Sequence, residues 1–176
     1  MPKLKETHPE TMKAKTVLPL ICCLMFFMPC GIASEYEEQH LIWKEIQAKA
    51  EAGDPKFQTQ VGEAFIYGRG IVVPQEKIDL ELGWKWLRLA AMKGYKPGQR
   101  AYAVSKLTHY LKNRGTDREE LLEALMWHCV HEGRLINFSK SGVHVPYGGT
   151  PVSEGTSALA HEKTKAFWSR YPELKK

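Results

Sequence analysis

The chain has 176 residues, 43% of them hydrophobic and 26% charged, with a formal net charge of +5. That composition excludes a disordered polar chain, and the mild positive balance argues against nucleic acid as the partner. Residues 1–33 read as an export signal rather than as fold: Lys13 and Lys15 precede the apolar run TVLPLICCLMFFMPCGIA, which ends in the small residues Gly31-Ile32-Ala33 before an acidic stretch. Cleavage after Ala33 would place the protein outside the cytoplasm, in the periplasm. An uncleaved inner-membrane anchor is the rival reading, against which stand Pro19 and Pro29 and a run near the lower length limit for a span. Cys22, Cys23 and Cys30 lie in this segment, so Cys129 alone remains in the rest. An exported domain with one cysteine holds together by packing, without internal disulfides.

Residues 34–52 are expected to form an N-terminal capping helix, with Ile42, Ile46 and Ala50 on one face and Trp43 close by. The stretch from Gly53 to Gly94 organises the chain. Phe57, Val61, Ala64 and Phe65 share one helical face, Asp54 can cap its start, and Pro55 suits the first helical position. Gly62 on that face leaves room for a neighbouring backbone. Gly68-Arg69-Gly70 breaks the helix. A second helix is predicted from about Glu76 to Lys93, with Leu82, Trp86, Leu89, Ala90 and Lys93 on its inner face and Gly94 beyond its end.

At these residues the chain resembles a known family. Gly53-Asp54, Gln58, Val61-Gly62, Phe65, Gly68-x-Gly70-Ile71, Trp86, Ala90-Ala91 and Gly94 are similar to the Sel-one-like repeat, a relative of the tetratricopeptide repeat. The family pattern has alanine where Phe57 stands, and usually leucine and tyrosine at Val61 and Phe65; the loop from Ile71 to Asp79 is longer than the pattern. The resemblance implies an all-α fold, a short α-solenoid of helix-turn-helix repeats with capping helices at both ends, used to hold other proteins.

Residues 95–133 read as a degenerate second repeat, in which Gln99, Tyr102-Ala103, Ala124, Trp127 and Gly133 echo the first. Lys106 stands at the aromatic position, and His109-Tyr110-Leu111 replaces the Gly-x-Gly loop. The first helix of this unit is therefore predicted to run to about Asn113 and to turn at Arg114-Gly115. The next starts at Thr116 or Asp117, with Glu119 or Glu120 completing a capping box and Leu121, Leu122, Leu125 and Cys129 as its apolar face. Residues 134–153 read as a loop, with a short extended piece at Val143-His144-Val145. A final helix is predicted from Glu154 to Tyr171, with Leu159, Ala166 and Phe167 inside, followed by a frayed tail from Pro172.

Chemistry-bearing residues gather at Trp127-His128-Cys129-Val130-His131-Glu132. His128 and His131 share a helix face, but two ligands do not make a metal site, and no second pair has matching spacing. A nucleophilic Cys129 lacks an evident base and oxyanion hole. Ser141 with His144, and His161 with Glu162, are ordinary polar neighbours. No cofactor motif is present, so the expectation is a non-enzymatic binding protein with neither cofactor nor metal. A solenoid presents its first helices to a partner, which makes Gln60, Glu63, Tyr67, Arg100, Ser105 and Thr108 candidate contacts. Trp84 joins them: with Trp86 inside, Trp84 points about 200° away, since each residue turns the helix by roughly 100°. The resemblance implies a protein partner in the cell envelope. In one version the chain is an immunity protein against a toxin delivered to the periplasm; in another it is an adaptor for envelope assembly, signalling or host contact. Peripheral contact with a membrane is compatible with either. A small hydrolase using Cys129 or histidine is the reading from a different class.

Overall fold

A computed structural model describes residues 31–68, 78–113, 115–139 and 152–175. Residues 1–30 of the segment read as a signal or anchor, the Gly-Arg-Gly loop beyond Gly68, and the Val143-His144-Val145 piece lie outside the described residues. The chain divides into two units, 1–38 and 39–176. Of the first, only the start of the first helix is described, backbone alone up to residue 36. Everything below concerns the second.

Among the described residues the structure is all-helical. The helices are α1 (Gly31–Glu51), α2 (Pro55–Tyr67), α3 (Leu80–Met92), α4 (Lys96–Lys112), α5 (Arg118–Glu132) and α6 (Glu154–Arg170), and a 3₁₀ turn, Pro172–Leu174, closes the chain. No described helix is long and apolar enough to cross a membrane.

The helix ends follow local chemistry. Asp54, Asp79, Asp117 and Ser153 accept from the backbone N–H groups of Lys56, Leu82, Glu120 and Thr156, satisfying donors that each first turn leaves open. Pro55 and Pro97 occupy first turns, where a missing N–H costs nothing. Gly68 and Gly133 end α2 and α5 in the left-handed region, at φ of 62° and 68°, where a Cβ would be strained. The capping box at α5 forms by half: Asp117 accepts from Glu120 N, while the Glu120 carboxylate turns instead to His109.

From α2 onward each helix packs on its sequence neighbours: α2 on α3, α3 on α4, α4 on α5, α5 on α6, with α2 also reaching α4. The α2–α3 crossing is backbone to backbone. A Cβ on Gly62 would lie 2.9 Å from Gly83 O and 2.7 Å from Leu87 Cγ, and one on Gly83 would lie 2.9 Å from Gly62 O. Gly98 faces Ala90 as closely. Two glutamines tie successive hairpins together. Gln58 Nε2 donates to Ala50 O at 3.1 Å, and Gln99 Nε2 donates to Ala91 O at 3.3 Å. The two bonds are separated in sequence by the same interval as Gly53 and Gly94. In both, the side-chain oxygen is buried without a donor among the described residues.

The core has two parts. One gathers Trp84, Leu87, Ala91, Tyr102, Ala103, Met126, Trp127, Val130, Trp168 and Leu174. The other gathers Leu122, Leu125, Cys129, Ile136, Phe138, Val152 and Ala160. α5 serves both, which is why it carries apolar residues on two faces rather than the single face expected. Edge-to-face rings link Tyr102, Trp127 and Phe167.

Three expectations about faces are corrected. Trp84 is buried, with 6% exposure, while Trp86 is half-buried and Leu89 is 42% exposed. The close approach of Gly83 to Gly62 sets this rotation of α3. On α6 the inner stripe is Ser157, Ala160, Thr164 and Trp168; Leu159 is 43% exposed and Ala166 is exposed. The tail is not frayed: Leu174 is buried beside Gly94.

Candidate functional site

A groove runs along α3, α4 and the start of α5. Three depressions of about 550, 640 and 500 Å³ share Glu81 and Trp84. One side is lined by Lys85, Arg88, Leu89 and Met92 of α3. The α5 side brings Asp117, Glu119, Glu120 and Glu123. Toward the start of α3 lie Phe65, Ile78, Asp79 and Leu80.

The floor is a compact polar–aromatic cluster. Lys106 Nζ sits 3.6 Å from the centroid of the Trp84 ring, a cation over an indole face, and 6.0 Å from that of Tyr102. The same ammonium is 3.8 Å from Glu123 Oε2, and Tyr102 donates to Glu123 Oε1 at 2.8 Å. Burial, and then the Glu123 charge, push the Tyr102 phenol well above its ordinary range, so it stays a donor. His109 stands edge-on to Trp84, with ring centroids 4.9 Å apart. His109 Nδ1 is 2.8 Å from Glu120 Oε1, and Asn113 Nδ2 is 3.0 Å from His109 Nε2. Lys163 of α6 pairs with Glu119 at the rim, at 2.5 Å. The Trp84 indole N–H is buried and has no acceptor among the described residues.

The candidate contacts divide. Gln60, Glu63 and Arg100 are exposed on α2 and α4, and Tyr67 is half-buried. Ser105 is corrected: it is 2% exposed and donates back to Tyr102 O at 2.9 Å, inside α4. Thr108 donates to Val104 O in the same way. Trp84 is corrected as a protruding anchor; it belongs to the site as its floor. Sequence reasoning missed the groove's charged lining. The signal available was Lys106, a cation in the middle of a helix otherwise lined there by Tyr102 and Ala103. Its aliphatic stem fits a packed site while its ammonium stacks on the ring.

The histidine–cysteine run is taken up in packing. Cys129 is fully buried; burial pushes its thiol up, away from the reactive thiolate. Burial pulls His128 down, and its ring lies against Phe138 at 5.9 Å. His161 Nε2 donates to Ile136 O at 2.6 Å. Among the described residues no group of three histidine, cysteine or carboxylate side chains is placed to hold a metal ion.

No family model, no curated protein and no solved structure matches the chain.

Proposed function

We propose that the protein is an exported helical-repeat module of the Sel-one-like type that holds a protein partner in the cell envelope. The observation that carries this reading is the neighbour-to-neighbour packing of α2 through α6, with the same glutamine-to-carbonyl bond at two successive junctions. In a repeat array of this kind stability comes from adjacent units, which leaves a long side surface for recognition. Export rests on the basic, apolar and small-residue order of residues 1–33. The sealed, weakly acidic Cys129 thiol favours binding over thiol chemistry. In its sharper form the module is an immunity protein against a toxin delivered to the periplasm; the adaptor role is the broader form.

A photo-activatable residue placed at Gln60, Glu63 or Arg100 in cells tests the reading, with Lys165 and Ser169 of α6 as comparison positions. One common protein adduct from the first three positions is expected. Adducts from α6 alone, or none at all, would overturn it. The immunity form adds a requirement: exporting the protein must protect cells from the cross-linked partner when that partner is toxic.

A further inference from the structure

We infer that the groove beneath α3 and α4 takes a basic segment of the protein partner, an arginine- or lysine-bearing stretch, with Glu81 and Trp84 at its centre. This rests on the binding-module reading and gives the partner its chemistry.

Charge complementarity is the first argument. Asp79, Glu81, Asp117, Glu119, Glu120 and Glu123 line the depressions and outnumber the cations there, on a chain whose formal net charge is +5, and +3 once the four lysines and two glutamates of residues 1–33 are removed. A basic segment is repelled by the molecule at large and attracted here, so the groove selects by sign. Glu81 lines all three depressions and makes no ion pair among the described residues. It lies one helical turn before Trp84, so a carboxylate and an indole share one face of α3.

The second argument is independent of the carboxylates. The floor already holds a cation on an aromatic face, because Lys106 Nζ stacks on Trp84 and is tied to Glu123 only at 3.8 Å. Lys106 thus acts as an internal stand-in for a partner cation. The Trp84 N–H, on a residue with 6% exposure, lacks an acceptor among the described residues. An extended segment entering the groove brings main-chain carbonyls as well as cations, and a carbonyl satisfies that donor once Lys106 swings aside.

The test uses the purified protein and two short fluorescent peptides, one carrying several arginines among leucine and serine, the other with glutamates in their place. Anisotropy at about 0.15 M salt, where long-range attraction is screened, should show the arginine peptide binding and the glutamate peptide not. Glu81→Gln should weaken binding about tenfold, and Glu51→Gln, on the exposed end of α1, should leave it unchanged. Lys106→Met, which keeps the stem and removes the competing cation, should tighten it; unfolding curves confirm that each variant is folded. Equal binding of both peptides, equal effects of Glu81→Gln and Glu51→Gln, or no arginine-peptide binding up to about 1 mM would overturn the inference. The parent reading fails separately. Cross-linking at Gln60, Glu63 and Arg100 does not depend on the groove's charge, so a partner captured there in undiminished yield by Glu81→Gln leaves the module standing and removes only the basic segment.

Discussion

Gly62→Ala is the perturbation that most directly examines how α2 and α3 meet. Two effects oppose each other. Alanine in a helix interior gains about 1 kcal/mol over glycine in propensity. The added methyl, however, lies 2.7 Å from Leu87 Cγ, 2.8 Å from Leu87 Cδ2 and 2.9 Å from Gly83 O. Leu87 is fully buried, and Gly83 O belongs to the facing backbone, so relief requires the helices to part. Overpacking of a filled core costs typically ~1–3 kcal/mol, and backbone contact places this site at the upper end. The net expectation is a loss of ~1–2 kcal/mol, or a Tm lower by about 2–8 °C for a chain of this size. Gly155→Ala supplies the opposite sign: it lies in the first turn of α6 and a Cβ there meets nothing within 4 Å. Urea unfolding followed by far-ultraviolet circular dichroism measures both. If Gly62→Ala stabilises the protein as Gly155→Ala does, the glycine-to-glycine crossing is wrong and the rotation assigned to α3 goes with it.

Deleting residues 172–176 removes Leu174, buried at 5% exposure beside Gly94, and should cost about 1.5–3 kcal/mol in the same assay; an unchanged midpoint would show that the tail is not docked. His128 is held below its ordinary pKa of 6.5 by burial, so the unfolded chain takes up its proton first as pH falls. Its contribution to stability is complete above pH 6.5 and is lost as pH drops through and below that value. His128→Gln should flatten this part of the profile between pH 7 and 5, and an unaltered slope would count against its burial. The Cys129 thiol should alkylate slowly in buffer and rapidly in urea, read by mass spectrometry of the peptide that contains it; equal rates would refute its enclosure.

Most helix ends were legible in the sequence because they are set locally; α3 is the exception, starting at Leu80 behind its Asp79 cap rather than at about Glu76. Asp54, Asp117, Gly68 and Gly133 each act within a few residues of themselves, and each sits in the structure where the pattern places it. Rotation about the helix axis was harder. α3 carries Leu80, Leu82, Trp84, Trp86, Leu87 and Leu89, apolar nearly all round, so periodicity alone does not choose between its two tryptophans. The choice is made by Gly83, whose missing side chain lets α2 approach. α6 misled for a related reason: its inner stripe includes Ser157 and Thr164, polar residues that burial tolerates because each is hydrogen-bonded, Ser157 Oγ accepting from Phe138 N and Thr164 donating to Ala160 O. The groove lay further from reach. Its walls come from helices distant in sequence, and no single stretch announces that Lys106 will meet Trp84.

The glutamine joints bear on how the molecule reaches its native state. Gln58 and Gln99 each bond a carbonyl only eight residues upstream, across one turn. A joint of that span closes a very short loop at small entropic cost, so it can set as soon as its own turn forms. With helices that pack chiefly on their immediate successors, the chain has low contact order, and its acquisition of structure should be fast and progressive from one hairpin to the next.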